Sequence, residues 1–315
     1  MISRIHRSGR LSVVVLAATT LLAAACGSKN TPSGNGGGSA TANSACASAP
    51  SNTYGATCDA TLAAEVPSSL RSKGSVSVAS DATYPPMESI TPGTTTIVGA
   101  DPDLGQAIGT VLGIPFQFQN VTFNKILLGL QGGQYDLGMS AFTDEKSREQ
   151  TVDFVDYFKA GTSFVVPAGS TLNLTTLDQI CGLTVAVESG TTEQSDAQSQ
   201  SKKCTSAGNK AVTILAFPAQ TQANLALAAG RAQAMMADTP VAAYQVELSN
   251  GKFTLGGAYG VAPYGIAIPK NTDMVKPIQD AVNKLIQTGV YAKILQKWGL
   301  QSGAISSATV NGAVF

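Results

Sequence analysis

The chain has 315 residues, of which 43% are apolar and 13% are charged, and its formal net charge is zero. This composition is sufficient for one large or two ordinary globular domains with hydrophobic cores. It lacks the basic excess typical of nucleic-acid binding, so we expect no nucleic-acid partner.

The N-terminal residues predict export. Arg4, Arg7 and Arg10 precede an uncharged run of about 15 residues, 11–25, which is short for a membrane span. A basic start, an apolar run and small residues before a cleavage point are typical of a secretory signal peptide. We assign residues 1–25 to such a peptide. Its removal takes three of the 20 Lys and Arg and leaves 17 against 20 Asp and Glu, a formal charge of −3.

The predicted signal peptide runs directly into a cysteine. Residues 22–26, LAAAC, resemble a bacterial lipobox, which implies that Cys26 is diacylated and becomes the new N-terminus. The alternative is a plain signal peptide. Residues 26–45 are rich in Gly, Ser, Asn and Thr, which favours a flexible tether. We therefore expect an extracytoplasmic protein that the lipid anchors to the outer face of the bacterial cell membrane.

The remaining cysteines predict disulfides, because an exported chain reaches an oxidising compartment. Cys46, Cys58, Cys181 and Cys204 are even in number, so two bonds are the default expectation. Proximity in sequence favours Cys46 with Cys58 and Cys181 with Cys204, among three possible pairings. Residues 46–74 then form an N-terminal extension that holds the first bond.

From Gly74 onward the sequence alternates between strand and helix patterns, which is typical of α/β domains with mostly parallel sheets. The first set comprises a strand at 75–80, a loop at 81–89, a helix capped by Asp101, a strand at 115–121, a helix that begins after Thr122 and a strand at 135–140. Pro102, at the first helical position, supports the start of the helix that Asp101 is expected to cap.

A second set of strands and helices follows a crossing segment at 161–169. It contains strands at 183–188, 212–217 and 233–238, helices at 220–230 and 240–248, and a return crossing at 264–270. The tail, 272–299, has helical periodicity, and we expect it to pack on the first set. Two lobes joined by two crossing segments is the predicted architecture.

Several classes of catalytic site are excluded. The only histidine, His6, lies in the predicted signal peptide, so histidine-dependent triads and histidine-bound zinc are not available to the mature chain. No phosphate-binding P-loop and no dinucleotide-binding glycine motif occurs. We expect no cofactor and no metal, while chemistry by a pair of carboxylates stays open.

Polar residues after predicted strands favour an amino acid site, because ligands of open α/β sheets gather at the carboxyl ends of strands. Arg148 offers a planar fork for a carboxylate, although pairing with a helix neighbour is the alternative. The segment 189–194 opens a helix and offers anion-binding N–H groups, or is simply capped. Asp238 could receive an ammonium or cap a helix, and the aromatics Tyr84 and Phe123 could cover a ligand or belong to the core.

The order of the motifs over about residues 75–299 resembles that of family 3 solute-binding proteins of ABC-type polar amino acid importers. The motifs are SDATYPPME, IVGADPDLGQAIG, LLGLQGGQYDLGMSAFT, REQTVDFVDYF, VAVESGTTEQ, LAAGRAQAMMADTPVAAY, YGIAIPK and GVYAKILQKWG. The resemblance implies the α/β type II periplasmic-binding-protein fold, with lobe 1 at 75–165 and 268–315, lobe 2 at 166–267, and a ligand cleft between them.

The same resemblance assigns roles residue by residue. Arg148 and Thr143 correspond to ligands of the α-carboxylate in the first lobe, and Thr191 and Thr192 to carboxylate contacts in the second. Asp238 corresponds to the acceptor of the α-ammonium. The positions around the ligand side chain and the first-lobe turn are Asp81, Tyr84, Phe123 and Ser140. Ala141, where some members have serine, and Met87-Glu88-Ser89 depart from the family pattern and bear on side-chain specificity.

The expected function is capture of a free L-amino acid by lobe closure, as a monomer, and its delivery to the permease of an ABC importer. Two alternatives stay open: a dehydratase-type enzyme on the same fold, for which no general acid is identified, and an amino acid sensor for a signalling partner. Asp81 favours a basic or amide side chain in the ligand.

Overall fold

The computed structural model describes residues 45–47 and 49–315. The predicted signal peptide, Cys26 and the tether up to residue 44 lie outside the described residues. Within the described part of the chain, no helix combines the length and the apolar character needed to cross a membrane.

The first half of the described chain builds the predicted strands and helices, together with three helices that were not predicted and one further sheet. In order they are α1 (Ala60–Glu65), α2 (Ser68–Lys73), β1 (Val76–Ser80), β2 (Thr83–Tyr84), β3 (Glu88–Ile90), β4 (Ile97–Val98), α3 (Ala100–Val111), β5 (Phe116–Asn120), α4 (Phe123–Gln131), β6 (Leu137–Gly138) and α5 (Lys146–Glu149). The helices that were not predicted are α1, α2 and α5. The further sheet is a small antiparallel one of β2, β3 and β4, and it begins in the loop predicted at 81–89.

The predicted cap of α3 is wrong. Gly99, not Asp101, is the N-terminal cap, and the helix begins at Ala100. Gly99 has φ +149°, and a Cβ there would lie 2.0 Å from the carbonyl oxygen of Met87, so only glycine allows this close approach. Asp101 is fully buried in the first turn, where its carboxylate is free for other partners.

The second half contains two strands of unusual length. Its elements are β7 (Val152–Pro167), a 3-10 turn (Leu177–Ile180), β8 (Thr184–Glu188), α6 (Thr192–Ser206), β9 (Thr213–Phe217), α7 (Gln220–Ala228), β10 (Ala234–Asp238), α8 (Thr239–Leu248), β11 (Phe253–Pro269), α9 (Val275–Gln287), α10 (Val290–Trp298) and a final 3-10 turn (Gln301–Gly303). The helical tail divides at Gly289, whose φ of +75° ends one helix before the next begins.

One sheet in the order β5-β1-β6-β11-β7-β10-β8-β9 connects these elements. Strand β1 pairs in parallel with β5 and β6, while β8 pairs in parallel with β9 and β10. We call the group around β1 the first lobe and the group around β8 the second lobe. Antiparallel β7 and β11 pair along nearly their whole length and run from one lobe into the other. The exact lobe boundaries expected from the sequence stay predictions.

The tail helices pack on the first lobe, as predicted. Helices α9 and α10 both contact α3. Their apolar faces are buried, with Ile278, Val282 and Leu285 on α9 and Ile294 on α10 each at most 1% exposed. Burial of such side chains is worth about 1.5–3 kcal/mol each. The C-terminal residues therefore return to the lobe in which the sheet begins.

Two disulfides cross-link the chain, Cys46–Cys58 in the N-terminal extension and Cys181–Cys204 in the second lobe. These are the two pairs that lie closest in sequence. The second bond ties the 3-10 turn at residues 177–180 to the last part of α6. Each bond closes a loop short enough that the chain-entropy account gives roughly 3 kcal/mol of stabilisation.

Candidate binding cleft

A narrow cavity lies between the two lobes. It opens where strands end, since Asp81 follows β1, Ser140 follows β6, Glu188 ends β8 and Asp238 ends β10. The structure brings together all nine residues that the sequence analysis assigns to ligand binding. The lining residues are Asp81, Tyr84, Phe123, Ser140, Ala141, Thr143, Arg148, Glu188, Thr191, Thr192, Glu193 and Asp238.

Arg148 is held in place by partners from both lobes. Its Nη1 donates to the carbonyl oxygen of Thr143 at 2.9 Å, and its Nη2 donates to that of Gly190 in the second lobe at 3.0 Å. Nε lies 3.2 Å from Oε1 of Glu145, so the pairing with a helix neighbour, which was the alternative role for Arg148, also forms. Because a guanidinium carries five N–H groups, these contacts leave one on each terminal nitrogen. Two parallel N–H groups are what a bidentate carboxylate requires.

Aromatic rings and burial define the surroundings of that guanidinium. Its carbon lies 5.6 Å from the ring centroid of Phe123 and 5.7 Å from that of Phe142, and the two rings stack at 4.6 Å. The side chain of Arg148 is only 8% exposed. Burial lowers its pKa, while nearby acidic groups, led by Glu145, act in the opposite direction. A buried cation beside flat rings binds an anion more strongly than one in water.

The second lobe contributes the N-terminus of α6. Thr191 is the cap: its hydroxyl donates to the carbonyl oxygen of Glu188 at 2.8 Å and accepts from the backbone N–H of Gln194 at 3.3 Å. The N–H groups of Thr192 and Glu193, in the first turn, have no partner within the helix itself. Thr191 thus acts as a cap, and the anion-binding groups of this segment are those of the two residues that follow.

Asp238 is joined to the first lobe by Tyr84. The hydroxyl of Tyr84 donates to Oδ2 of Asp238 and accepts from the Asp238 backbone N–H, both at 2.9 Å. Asp238 occupies the position before α8 but makes no side-chain cap bond there, so helix capping does not explain it. Burial, reinforced by the charge of Glu193, raises the pKa of Asp238 well above its ordinary value. A cation placed beside this carboxyl would restore its ionised form.

Two acidic residues of the cavity were missed by the sequence analysis, Glu188 and Glu193. Glu193 lies in the first turn of α6 and accepts hydrogen bonds from the hydroxyls of Thr162, at 2.7 Å, and Thr192, at 3.3 Å. Glu188 is the last residue of β8 and is 2% exposed. The available signal was positional, because Glu188 ends β8, which pairs in parallel with β10, and β10 ends at the predicted site residue Asp238.

A buried hydrogen-bond network supports the first-lobe wall. The hydroxyl of Ser140 accepts from the backbone N–H of Asp81 at 2.9 Å and donates to Oε1 of Glu88 at 2.8 Å. Asp101 accepts from the N–H of Ala141 at 2.9 Å and from the hydroxyl of Tyr157 at 2.6 Å. Ser140 therefore acts by positioning Asp81, and Asp101 fixes the cavity-lining turn instead of capping α3.

No cluster of three or more His, Cys, Asp and Glu side chains within the described residues has a geometry that could hold a metal ion. The cavity instead combines one guanidinium, helix N–H groups, several carboxyl groups and aromatic walls. This set of groups suits reversible binding of a small zwitterion.

Comparison with known proteins identifies a matching family. The family model described as bacterial extracellular solute-binding proteins, family 3, matches residues 76–301. The arginine-binding protein ArgT of Corynebacterium glutamicum is 35% identical over 254 residues, which cover 79% of this chain and 82% of that protein.

Solved structures give the same fold. An ancestral arginine-binding protein bound to arginine superposes with a TM-score of 0.65 at 32% identity, covering 71% of this chain and 98% of its own. The ancestral amino acid-binding protein AncCDT-1, described as a precursor of cyclohexadienyl dehydratase, gives a TM-score of 0.66 at 27% identity. The match covers 73% of this chain and 97% of that protein. These likenesses confirm the predicted type II fold. All three of these proteins are named as binding proteins, in agreement with the prediction that the chain is not an enzyme.

Proposed function

The chain belongs to the bacterial extracellular solute-binding proteins, family 3, and from this premise we propose that it captures a free polar L-amino acid and delivers it to an ABC importer. The observation that carries the proposal is the presence of Arg148 and Asp238 in one closed cavity. A free α-amino acid offers both an anion and a cation within a few bonds, which matches this pair. The names of the relatives support an amino acid ligand.

The α-carboxylate would bind at what we call the head end of the cavity, formed by Arg148, Thr192, Glu193 and Asp238. The two remaining N–H groups of Arg148 would engage both carboxylate oxygens. The N–H groups at the start of α6 would add hydrogen bonds, assisted by the helix dipole. Asp238 would accept from the α-ammonium, whose charge favours the ionised carboxylate.

Closure of the lobes provides the signal to a partner. Arg148 belongs to the first lobe, while Asp238 and the start of α6 belong to the second, so one ligand touches both. Such a ligand binds the closed form better than the open form and shifts the population toward it. The bonds from Arg148 to Gly190 and from Tyr84 to Asp238 already cross the cleft and would form only on closure. A permease that binds only the closed form would then receive only loaded protein.

The N-terminal segment fits this task. A diacylated Cys26 would keep the monomeric receptor at the membrane, and the tether at 26–45 would let it reach the importer. The family description places its members outside the cytoplasm, which supports an exported protein.

A thermal-unfolding screen tests the proposal. The purified protein, first unfolded and refolded to remove carried-over ligand, is screened against the twenty amino acids, ornithine and citrulline. A ligand at 100 times its dissociation constant adds about 2.7 kcal/mol of stability. The carboxamide and the N-acetyl derivative of the best ligand serve as matched controls, because each removes one head-group charge. We expect at least one amino acid to stabilise the protein and both derivatives to fail. Equal stabilisation by the derivatives, or none by any amino acid, would disprove the proposal.

A further inference from the structure

We propose that Asp81 and Glu188, which face each other from opposite lobes, form a carboxylate pair that selects a ligand with a cationic side chain. This inference rests on the proposed function, and it assigns to Glu188 a role in specificity that the sequence did not reveal. We call this pair the side-chain end of the cavity.

The balance of charges in the cavity leads to this assignment. The lining contains four carboxyl groups and one guanidinium. A bound amino acid would neutralise one carboxyl group, Asp238, with its ammonium, and would neutralise Arg148 with its carboxylate. Asp81, Glu188 and Glu193 then remain. Since Glu193 is engaged by the hydroxyls of Thr162 and Thr192, the two groups without a compensating partner are Asp81 and Glu188.

The two carboxyl groups are buried and incompletely paired. Asp81 is 3% exposed and Glu188 is 2% exposed. Oδ2 of Asp81 accepts from the backbone N–H of Phe123 at 2.8 Å, but its Oδ1 and Oε1 of Glu188 have no hydrogen-bond partner among the described residues. A buried carboxyl oxygen without a partner costs about 1–3 kcal/mol, more if charged. A bound cation with N–H groups would satisfy both oxygens at once.

The placement of two carboxyl groups in one buried cavity makes closure depend on the cation. Both groups line the same cavity, and the charge of Asp81 raises the pKa of Glu188 further after burial has raised it, to about 9 in total. Burial likewise raises the pKa of Asp81. In the empty closed cavity the pair therefore favours a protonated state at neutral pH, and the cation of a ligand would take the place of that proton.

The groups around the pair reinforce this preference. Tyr84, Glu88 and Glu193 are the further titratable groups that act on one or the other carboxyl. None of them is a cation. The backbone N–H of Gln220 on α7 donates to the hydroxyl of Thr83, at 3.1 Å, and brings no compensating charge to the pair. A neutral ligand would leave the pair with its proton, whereas a cationic ligand would replace it.

Titration calorimetry at pH 7.5 tests the inference with matched ligands. Citrulline has almost the shape of arginine but a neutral side chain, and glutamine and lysine extend the comparison. The key variant is Glu188→Gln, which keeps the shape and removes the charge. The control is Glu247→Gln, which makes the same change on the exposed face of α8 in the same lobe.

We expect the wild-type protein and Glu247→Gln to bind arginine or lysine at least 100-fold more tightly than citrulline or glutamine. Glu188→Gln should reduce that ratio at least tenfold, with binding of the neutral ligands retained. An unchanged ratio in Glu188→Gln would overturn the inference, as would a wild-type preference for a neutral or acidic amino acid, although the proposed function would then stand. Failure of every amino acid to bind the wild-type protein would overturn both.

Discussion

The two ends of the cavity differ in how their charges are balanced. At the head end, Arg148 and Asp238 have opposite charges, and each is oriented by a partner from the other lobe. At the side-chain end, Asp81 and Glu188 have the same charge, and each leaves one buried oxygen without a partner. A zwitterionic head group is common to all free amino acids, so the head end provides affinity without selectivity. The side-chain end contacts what differs between amino acids, and selectivity follows from it.

These separate roles can be tested variant by variant, because a change at the head end should weaken the binding of all amino acids by the same factor. The ratio of the dissociation constants of arginine and citrulline serves as the readout of the side-chain end. Changes at the head end should leave that ratio constant.

The largest effect is expected from Arg148→Ala. It removes both N–H groups assigned to the carboxylate, and hydrogen bonds to charged groups contribute about 1.5–3 kcal/mol each. Affinity for arginine and for citrulline should fall at least about 100-fold, by the same factor, in titration calorimetry. Arg148→Lys keeps the charge but not the planar fork, so its affinity for each ligand should lie between those of the wild-type protein and of Arg148→Ala. A loss confined to arginine would contradict the head-end assignment.

A smaller loss is expected from Asp238→Asn. The amide keeps the shape, and can still accept from the hydroxyl of Tyr84, but it offers the ammonium no charge. We expect a loss of about tenfold to thirtyfold for both ligands, corresponding to roughly 2 kcal/mol. Tyr84→Phe, which removes only the hydroxyl that orients Asp238, should lose less. Equal losses in the two variants would indicate that orientation, not charge, is what Asp238 contributes.

The contrast between the two ends also explains what the sequence could predict. Arg148 and Asp238 were identified because each stands alone in a recognisable motif at the end of a predicted strand. The alternation of strands and helices likewise predicted two lobes joined by crossing segments, since periodicity reports which face of an element is buried. The paired strands β7 and β11 lie where those crossings were placed.

Glu188 was missed for a physical reason. Its significance comes from Asp81, about a hundred positions away, and the pair exists only where the two lobes meet. Sequence reasoning placed Glu188 at the end of a strand but had no means to place its carboxyl opposite another. The predicted capping role of Asp101 was wrong for a similar reason. The close approach of Gly99 to Met87 sets the start of the helix, and the carboxylate of Asp101 bonds instead to buried partners at Ala141 and Tyr157.

A moderate loss is expected from Gly190→Ala, which acts on closure itself. Gly190 has φ +86°, and a Cβ there would lie 2.8 Å from the Cβ of Asn124 in the first lobe. The substitution should push the lobes apart and lower the affinity for arginine and citrulline about tenfold, with their ratio unchanged.

Gly208→Ala is the control for this change. Gly208 is in the same lobe with φ +77°, but a Cβ there would meet nothing within 4 Å. It should therefore lower the unfolding temperature through backbone strain, as Gly190→Ala does, without changing the affinity of either ligand. A loss of affinity in Gly208→Ala would mean that strain, and not contact between the lobes, accounts for the effect.

The smallest effect is expected from pH, and its sign distinguishes the two ends. Burial and the charge of Asp81 raise the pKa of Glu188 to about 9 in the empty closed form, so a cation must displace a proton there at neutral pH. That displacement becomes easier as pH rises, and arginine should therefore bind more tightly from pH 6 to pH 8. Citrulline displaces no proton from this pair.

The titration of Asp238 affects the binding of both ligands equally and cancels in the ratio of their dissociation constants. The free protein is common to both equilibria, so the ratio depends only on the protons that the two complexes hold. The citrulline complex keeps a proton on the pair that the arginine complex lacks, and the preference for arginine should therefore rise by at most about tenfold per pH unit. Glu188→Gln should make the ratio nearly independent of pH, whereas a ratio that falls with rising pH in the wild-type protein would show that the proton and the cation do not compete for the same place.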